Sequence, residues 1–214
     1  MANRKVITAI MIGGVAAIST SAVLIRVAEA PAPVIAFYRM FFATLFFAPL
    51  ALRQRREHDL SRRQLGLAVG AGALLALHFL FWMTSLEHTS VASSVVLVTT
   101  QPLWVFLISV LFLHEKPTGR MWLGLFVALL GSVLVVFTEG DGEQSRLLGN
   151  VLAILGAIAM ACYFLVGRKL RANLPLGLYS ALVYGSSSIV LALFMLVRGL
   201  AWGGYSPLTW VMFG

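Results

Sequence analysis

This sequence predicts an all-α fold, a polytopic bundle of membrane-spanning helices. Hydrophobic residues make up 60% of its 214 residues and charged residues 11%. The mean hydropathy is +0.92, which is unlike that of an ordinary soluble domain. Apolar runs of roughly 20 residues recur between short polar breaks, and a helix needs about that length to cross the bilayer core. Each run can satisfy its own backbone hydrogen bonds as a helix.

The chain contains seven such runs, and we predict a span at each. The spans cover residues 6–26, 32–52, 65–86, 91–113, 119–138, 147–167 and 176–198. The breaks hold turn-forming and charged residues, and an eighth apolar segment begins at "PLTWVMFG". The first run also resembles a signal peptide, with "AEA" at residues 28–30 as a cleavage site. Because Arg26 and Pro31 flank that site and the run is long for a signal, we predict a retained span.

The placement of basic residues predicts the orientation of the chain. Short loops rich in Lys and Arg stay in the cytoplasm. Twelve of the sixteen basic residues fall on one side if the amino terminus is cytoplasmic, so we predict that orientation in a cell membrane, specifically a bacterial inner membrane. The net charge of +8 is divided among separate loops at the membrane edge, so the expected partner is the lipid bilayer and not a nucleic acid.

A faint internal repeat predicts two oppositely inserted halves. The segment "IGGVAAISTSAVLIR" (residues 12–26) matches "ILGAIAMACYFLVGR" (residues 154–168) at four positions without a gap. The two copies are five spans apart, and an odd offset inverts the second copy. We therefore predict a five-helix repeat over residues 1–140, and over residues 141–214 the start of a second, with two helices and the beginning of a third. Inverted repeats are common in secondary transporters, which bind substrate near the bilayer midplane.

Several motifs between residues 84 and 136 resemble those of a known family. They are the small-residue start "SVASS", the proline in "QPLW", Glu115 after the fourth span and "GLFVALLGSVLVV"; "FYRMFFA" in the second span also fits. The segment resembles the third-to-fifth helix region of EamA-type transporters of the drug/metabolite transporter superfamily. The resemblance implies a ten-helix carrier that exports or exchanges small metabolites by alternating access. Helices eight to ten have no equivalent here, so we expect a fragment or a truncated product that does not transport alone.

Arg39 lies inside the second span, in a run without acidic residues. It is about seven residues from the outer edge, which is roughly 10 Å at 1.5 Å per residue. Two interpretations remain open. Arg39 is an outer-leaflet anchor bonded to backbone carbonyls or to Glu87, or it faces a central cavity and binds a substrate carboxylate.

His78 and Trp82 are four residues apart and share a face of the third span. We predict that both contact substrate, and the alternative for His78 is a hydrogen-bonded packing role. Among the side chains within predicted spans, His78 is the one that titrates near neutral pH. Proton coupling, if present, is therefore expected to run through His78 or through helices outside this chain.

Pro102 falls near the middle of the fourth span and cannot donate to the carbonyl of Val98, so a kink is expected. Thr99, Thr100 and Gln101 lie next to it and are candidate substrate ligands. The alternative is that the threonine hydroxyls bond back within the helix.

Three further expectations concern structure and the second half. Tyr163 is a candidate for the wall of the binding site. Glu115 is expected to close the fourth helix and to pair with Lys116 or with a basic loop, in a structural or gating role. Small residues are expected to permit close helix contacts, and these are Gly13, Gly14, Ala16, Ala17, Gly66, Gly70, Ser93 and Ser94.

The predicted function is therefore a secondary transporter for a small molecule, amino-acid-like with a carboxylate and an apolar part, or drug-like. The four histidines lack ligand spacing and both aspartates lie in loops, so we expect no enzyme activity, metal or cofactor. The absence of a lysine in the seventh span argues against a retinal-type receptor. A non-transporting scaffold or assembly protein remains the alternative, and a homodimer is a further expectation.

Overall fold

Helices and connecting turns make up the described part of the chain, which confirms the predicted all-α class. A computed structural model describes residues 4–138 and 144–213. The helices are α1 (Arg4–Val27), α2 (Ala32–Arg56), α3 (Arg62–His88), α4 (Val91–Val98), α5 (Gln101–Phe112), α6 (Gly119–Thr138), α7 (Gln144–Arg171), α8 (Leu176–Val197) and α9 (Pro207–Phe213). The predicted boundary between repeats, at residues 140 and 141, lies outside the described residues.

Five described stretches are long and apolar enough to cross a membrane. They are Ala32–Arg56, Arg62–His88, Val91–Phe112, Arg146–Arg171 and Leu176–Val197. They correspond to the second, third, fourth, sixth and seventh predicted spans. The fifth predicted span is a helix with a shorter apolar stretch, Gly119–Leu134. The first lies in α1, where several side chains are outside the described set. The chain is a polytopic helical membrane protein.

The helices α2, α3, α7 and α8 form the centre of the bundle. α3 packs mainly along α7, and α2 packs mainly along α8. Both pairs are antiparallel. Gln54 near the end of α2 meets Leu178 at the start of α8, and Thr89 after α3 meets Asn150 near the start of α7. The loops after α2 and α7 therefore lie together at one end of the bundle, as the charge pattern predicts. We call this end, which holds residues 53–63 and 168–175, the basic end.

Side chains from neighbouring helices complete the first turns of two central helices. The first N–H groups of a helix have no acceptor within the helix itself. At the start of α8, Leu178 N donates to Gln54 Oε1 at 2.9 Å. At the start of α2, Ala32 N donates to Glu87 Oε1 at 3.3 Å. These bonds fix α2 against α8 at one end and against α3 at the other.

Two glycines allow the central helices to approach closely. A Cβ atom at Gly72 would lie 2.0 Å from Ser186 Oγ and 2.6 Å from the carbonyl oxygen of Val183 on α8. A Cβ at Gly156 would lie 3.3 Å from the backbone nitrogen of Trp82 on α3. Only glycine fits such contacts without a shift of the neighbouring helix.

The sequence analysis predicts close helix contacts at other small residues, and the structure shows such contacts at some of them but not at others. Gly13, Gly14, Gly66 and Gly70 have no atom within 4 Å of a Cβ placed on them, so the assignment was wrong for these four. They face open space, where lipid or other chain can lie. Ser93 and Ser94 are buried, and Ser94 Oγ hydrogen-bonds to Ser85 Oγ of α3 at 2.6 Å.

Candidate functional site

A cavity of about 670 Å³ lies among the four central helices. Its wall on α2 runs from Arg39 to Phe47, which is the middle of that helix. The lining residues are Arg39, Met40, Phe42, Ala43, Phe46 and Phe47 of α2, Leu75 and Phe79 of α3, Met160, Tyr163 and Phe164 of α7, and Tyr184 of α8. The cavity therefore brings together Arg39 and Tyr163, which the sequence singled out on separate helices.

The lining combines one permanent charge with aromatic surface. Arg39 is the charged residue among the described lining residues, and seven of the others are aromatic. A guanidinium presents five donors in a planar fork that matches a carboxylate. The hydroxyls of Tyr163 and Tyr184 add hydrogen-bonding groups, while the phenylalanine rings offer faces on which an apolar or flat group can stack. The cavity can hold a small molecule that is anionic at one end and apolar at the other.

Helical spacing explains why these residues share one wall. Arg39, Phe42 and Phe46 are separated by three and four residues, so they lie along one face of α2. Leu75 and Phe79 repeat this spacing on α3. The sequence interpretation missed the phenylalanines of the lining and Tyr184. The aromatic spacing after Arg39 is the signal that would have found the α2 wall.

His78 and Trp82 lie at the contact between α3 and α7 and are not among the cavity lining. His78 Nδ1 donates to the carbonyl oxygen of Gly156 at 2.9 Å, and the His78 side chain is 6% exposed. The two rings stack with centroids 5.8 Å apart. Trp82 Nε1 is buried without an acceptor among the described residues. His78 and Trp82 therefore pack between α3 and α7, beside the close helix contact at Gly156.

The fourth predicted span is interrupted where Pro102 predicts a kink. α4 ends at Val98 and α5 begins at Gln101, with Thr99 and Thr100 between them. Thr99 Oγ1 donates to the carbonyl of Val96 at 2.9 Å, and Thr100 Oγ1 donates to that of Leu97 at 2.6 Å. Trp104 Nε1 donates in turn to Thr100 Oγ1 at 3.2 Å. The two threonines thus bond within their own segment, and neither they nor Gln101 line the cavity.

Glu115 links the turn after α5 to the basic end of α7. Arg168 Nη2 donates to Glu115 Oε1 at 2.6 Å, which agrees with the expected pairing to a basic segment and identifies the partner as Arg168, not Lys116. This hydrogen bond lowers the pKa of Glu115 below its usual value. Both side chains are about half exposed, so the pair contributes little to stability.

Metal-ligand geometry is not found within residues 4–138 and 144–213, where no three His, Cys, Asp or Glu side chains gather closely enough to hold an ion. Cys162 on α7 is a half-buried free thiol. The groups that the cavity lining offers to a ligand are the guanidinium of Arg39, the tyrosine hydroxyls and the aromatic rings.

Comparison with known families decides where this chain belongs. Residues 4–137, well over half of the chain, match the EamA-like transporter family. The chain belongs to the EamA-like transporter family. The match runs from α1 to the last turn of α6 and includes the segment whose motifs resembled this family. The EamA relationship thus rests on the first five predicted spans.

Individual relatives of this EamA chain are named as carriers of small molecules. It is 30% identical over 140 residues to the "Riboflavin transporter" of Brucella anthropi, covering 65% of this chain and 48% of that protein. It is 30% identical over 133 residues to the "Pseudopaline exporter CntI" of Pseudomonas aeruginosa, covering 61% of this chain and 46% of that protein. The chain spans about half the length of the curated relatives it matches.

A solved structure supports the EamA chain's fold. It matches with a TM-score of 0.65 at 17% identity, and the match covers 91% of this chain and 71% of that one. At this identity the likeness shows the helical arrangement alone.

Proposed function

We propose that this EamA protein is a secondary transporter that exports or exchanges a small molecule with a carboxylate and an apolar, aromatic part, such as an amino acid, by alternating access. The observation that carries the proposal is the cavity of about 670 Å³ at the middle of α2, where Arg39 lies among aromatic side chains. The family and the small-molecule names of its relatives support transport as the class of activity.

The charge of Arg39 is the basis for an anionic substrate. Removing a guanidinium from water is costly in a membrane interior, so such residues tend to face cavities and mark substrate pathways. The planar fork of Arg39 can bind a carboxylate through two parallel charge-assisted hydrogen bonds. The hydroxyl of Tyr163, on α7, is a further hydrogen-bonding group in the lining of the cavity.

The aromatic lining is the basis for an apolar or aromatic body. Rings from all four central helices face the cavity, and Phe47 and Tyr184 lie against each other with centroids 5.9 Å apart. A flat ring stacks on such faces. An ammonium group would rely on the same aromatic faces, because the described lining has no carboxylate.

Antiparallel packing supports alternating access as the mechanism. α2 packs on α8 and α3 packs on α7, and each pair joins a helix of the first predicted repeat to one of the second. Rocking of one repeat against the other would expose the cavity to each side in turn. With the amino terminus in the cytoplasm, as the charge bias predicts, the basic end is the cytoplasmic one.

Binding of three related probes to the full chain in lipid nanodiscs tests the proposal. L-Phenylalanine carries a ring and a carboxylate, phenethylamine lacks the carboxylate, and L-alanine lacks the ring. We expect phenylalanine to bind more tightly than either of the others. Arg39→Gln should weaken phenylalanine binding by roughly tenfold to a hundredfold, because a charge-assisted hydrogen bond is lost, and should leave phenethylamine binding nearly unchanged.

The matched control is Arg53→Gln, which removes an exposed arginine at the basic end of the same helix. It should leave all three affinities unchanged. Arg39→Lys should be intermediate, since lysine keeps the charge without the fork. If the Arg39→Gln and Arg53→Gln variants bind phenylalanine with equal affinity, Arg39 is an anchor, and the proposed contact between Arg39 and a substrate carboxylate is excluded.

A further inference from the structure

A second concave site lies at the basic end, between the start of α3 and the end of α7. It is a cleft of about 740 Å³, separate from the central cavity and sharing none of its lining residues. Three cations line it, Arg63 from α3 with Arg168 and Lys169 from α7. We call it the basic cleft.

The uncharged polar groups of the basic cleft are occupied by local bonds. Ser61 and Gln64 form a capping box that closes the first turn of α3. Asn173 Nδ2 donates to the carbonyl of Lys169 at 2.9 Å. The polar groups left for a ligand are therefore mainly the cationic ones.

Those cations are short of negative partners. The described lining contains no acidic residue. Arg168 gives one of its N–H groups to Glu115, and its remaining donors are not used in that bond. Arg63 and Lys169 form no ion pair with another described residue. Like charges held in one concavity favour an anionic ligand.

The position of the cleft indicates which anion. Arg63 is the second residue of the span Arg62–His88, and Lys169 is two residues from the end of the span Arg146–Arg171. By length and composition, both residues fall at the end of a membrane span, where lipid phosphates are expected. Leu67, one turn deeper on α3, lines the same cleft and is exposed. An apolar surface directly beneath the cations suits an acyl chain attached to the anion.

We propose that the basic cleft binds the phosphate headgroup of an anionic phospholipid, with Arg63 and Lys169 on the phosphate and Leu67 against an acyl chain. Basic pockets between spanning helices are suited to such headgroups, and each Lys or Arg near the surface contributes to the attraction. Because the ligand would touch α3 and α7 together, bound lipid would also hold these two helices at the basic end.

Native mass spectrometry of the full chain in detergent tests this, with dioleoylphosphatidylglycerol and dioleoylphosphatidylcholine as probes that share acyl chains. We expect phosphatidylglycerol to remain bound at concentrations where phosphatidylcholine does not. The double variant Arg63→Gln with Lys169→Gln should raise the apparent Kd for phosphatidylglycerol at least about tenfold. Arg168 is left in place so that its pair with Glu115 survives.

The matched control is Arg53→Gln with Arg56→Gln, which removes two exposed arginines at the same end but outside the cleft. Its Kd should stay within about twofold of the unchanged protein. Equal losses in both double variants would show a diffuse surface attraction and overturn the proposal. Displacement of the lipid by an equal concentration of soluble glycerol 3-phosphate would also overturn it, since the site would then belong to a free phosphate compound.

Discussion

The central helices and the α4–α5 segment both carry polar residues inside the membrane, but they use them differently. In the centre, Arg39 and Tyr163 face a cavity of about 670 Å³. In α4–α5, Thr99 and Thr100 donate their hydroxyl protons to carbonyls three residues earlier. A short hydroxyl side chain reaches the carbonyls of its own helical turn, whereas the longer Arg39 and Tyr163 side chains reach the cavity between helices. Polar residues in a span therefore differ in whether their side chains end within their own helix or in a space shared with other helices.

The largest effect is expected from adding a side chain at Gly72, where α3 and α8 are in close contact. Gly72→Ala places a Cβ 2.6 Å from the Val183 carbonyl oxygen, so α3 and α8 must separate. We expect a loss of about 1–3 kcal/mol in the free energy of unfolding, measured by thermal or denaturant unfolding in detergent.

Gly66→Ala is the matched control for this glycine on the same helix. Nothing lies within 4 Å of its Cβ, so the substitution should be neutral or should stabilise the helix by about 0.5–1 kcal/mol. Equal destabilisation by the two substitutions would show that α3 and α8 do not meet at Gly72.

Removing one hydroxyl from each region sharpens the comparison. Tyr163→Phe should weaken phenylalanine binding by roughly threefold to tenfold, because a hydrogen-bonding group is lost from the cavity. Thr100→Val should change that affinity by less than about twofold, since its hydroxyl already serves Leu97 and Trp104. Calorimetry on both variants measures this. The comparison fails if the threonine substitution is the more damaging one.

The smallest effect concerns the ion pair that joins the two regions. Because Arg168 lowers the pKa of Glu115, the folded state gains stability at pH values above the unfolded pKa of about 4.3, and loses it as pH falls through the lowered value. Glu115→Gln removes this dependence. The drop in Tm between neutral pH and acid should then shrink by about a degree, since the pair is half exposed.

A matched measurement on Glu57→Gln controls for general charge effects, because Glu57 is an exposed acid at the same end. Its profile should follow that of the unchanged protein. A Glu115→Gln profile identical to the unchanged one would show that the loop after α5 moves independently of α7.

The sequence was sufficient for those features that depend on local chemistry. Apolar run length located the helices, Pro102 located the interruption between α4 and α5, and the charge pattern placed the loops after α2 and α7 at one end. Each of these follows from a segment's own composition or from the solvent on either side of the bilayer.

The cavity could not be predicted because it depends on which helices are neighbours. Spanning helices are apolar on every side, so periodicity does not say which face meets protein and which meets lipid. Gly66, Gly70 and Gly72 look alike in the sequence, yet only Gly72 of the three touches α8. Similarly, the sequence predicts that His78 contacts substrate. Its hydrogen bond to Gly156 could not be predicted, because the two residues are 78 positions apart.

The cap that Gln54 provides for Leu178 has a consequence for how the molecule assembles. The two residues are 124 positions apart, so α2 is already synthesised and inserted long before α8 exists. The Gln54 amide stays hydrated at the membrane surface until the later helix arrives beside it. Fraying at the end of α2 or at the start of α8 breaks the bond between Leu178 N and Gln54 Oε1. Hydrogen exchange at the Leu178 amide should therefore report on the docking of α2 against α8.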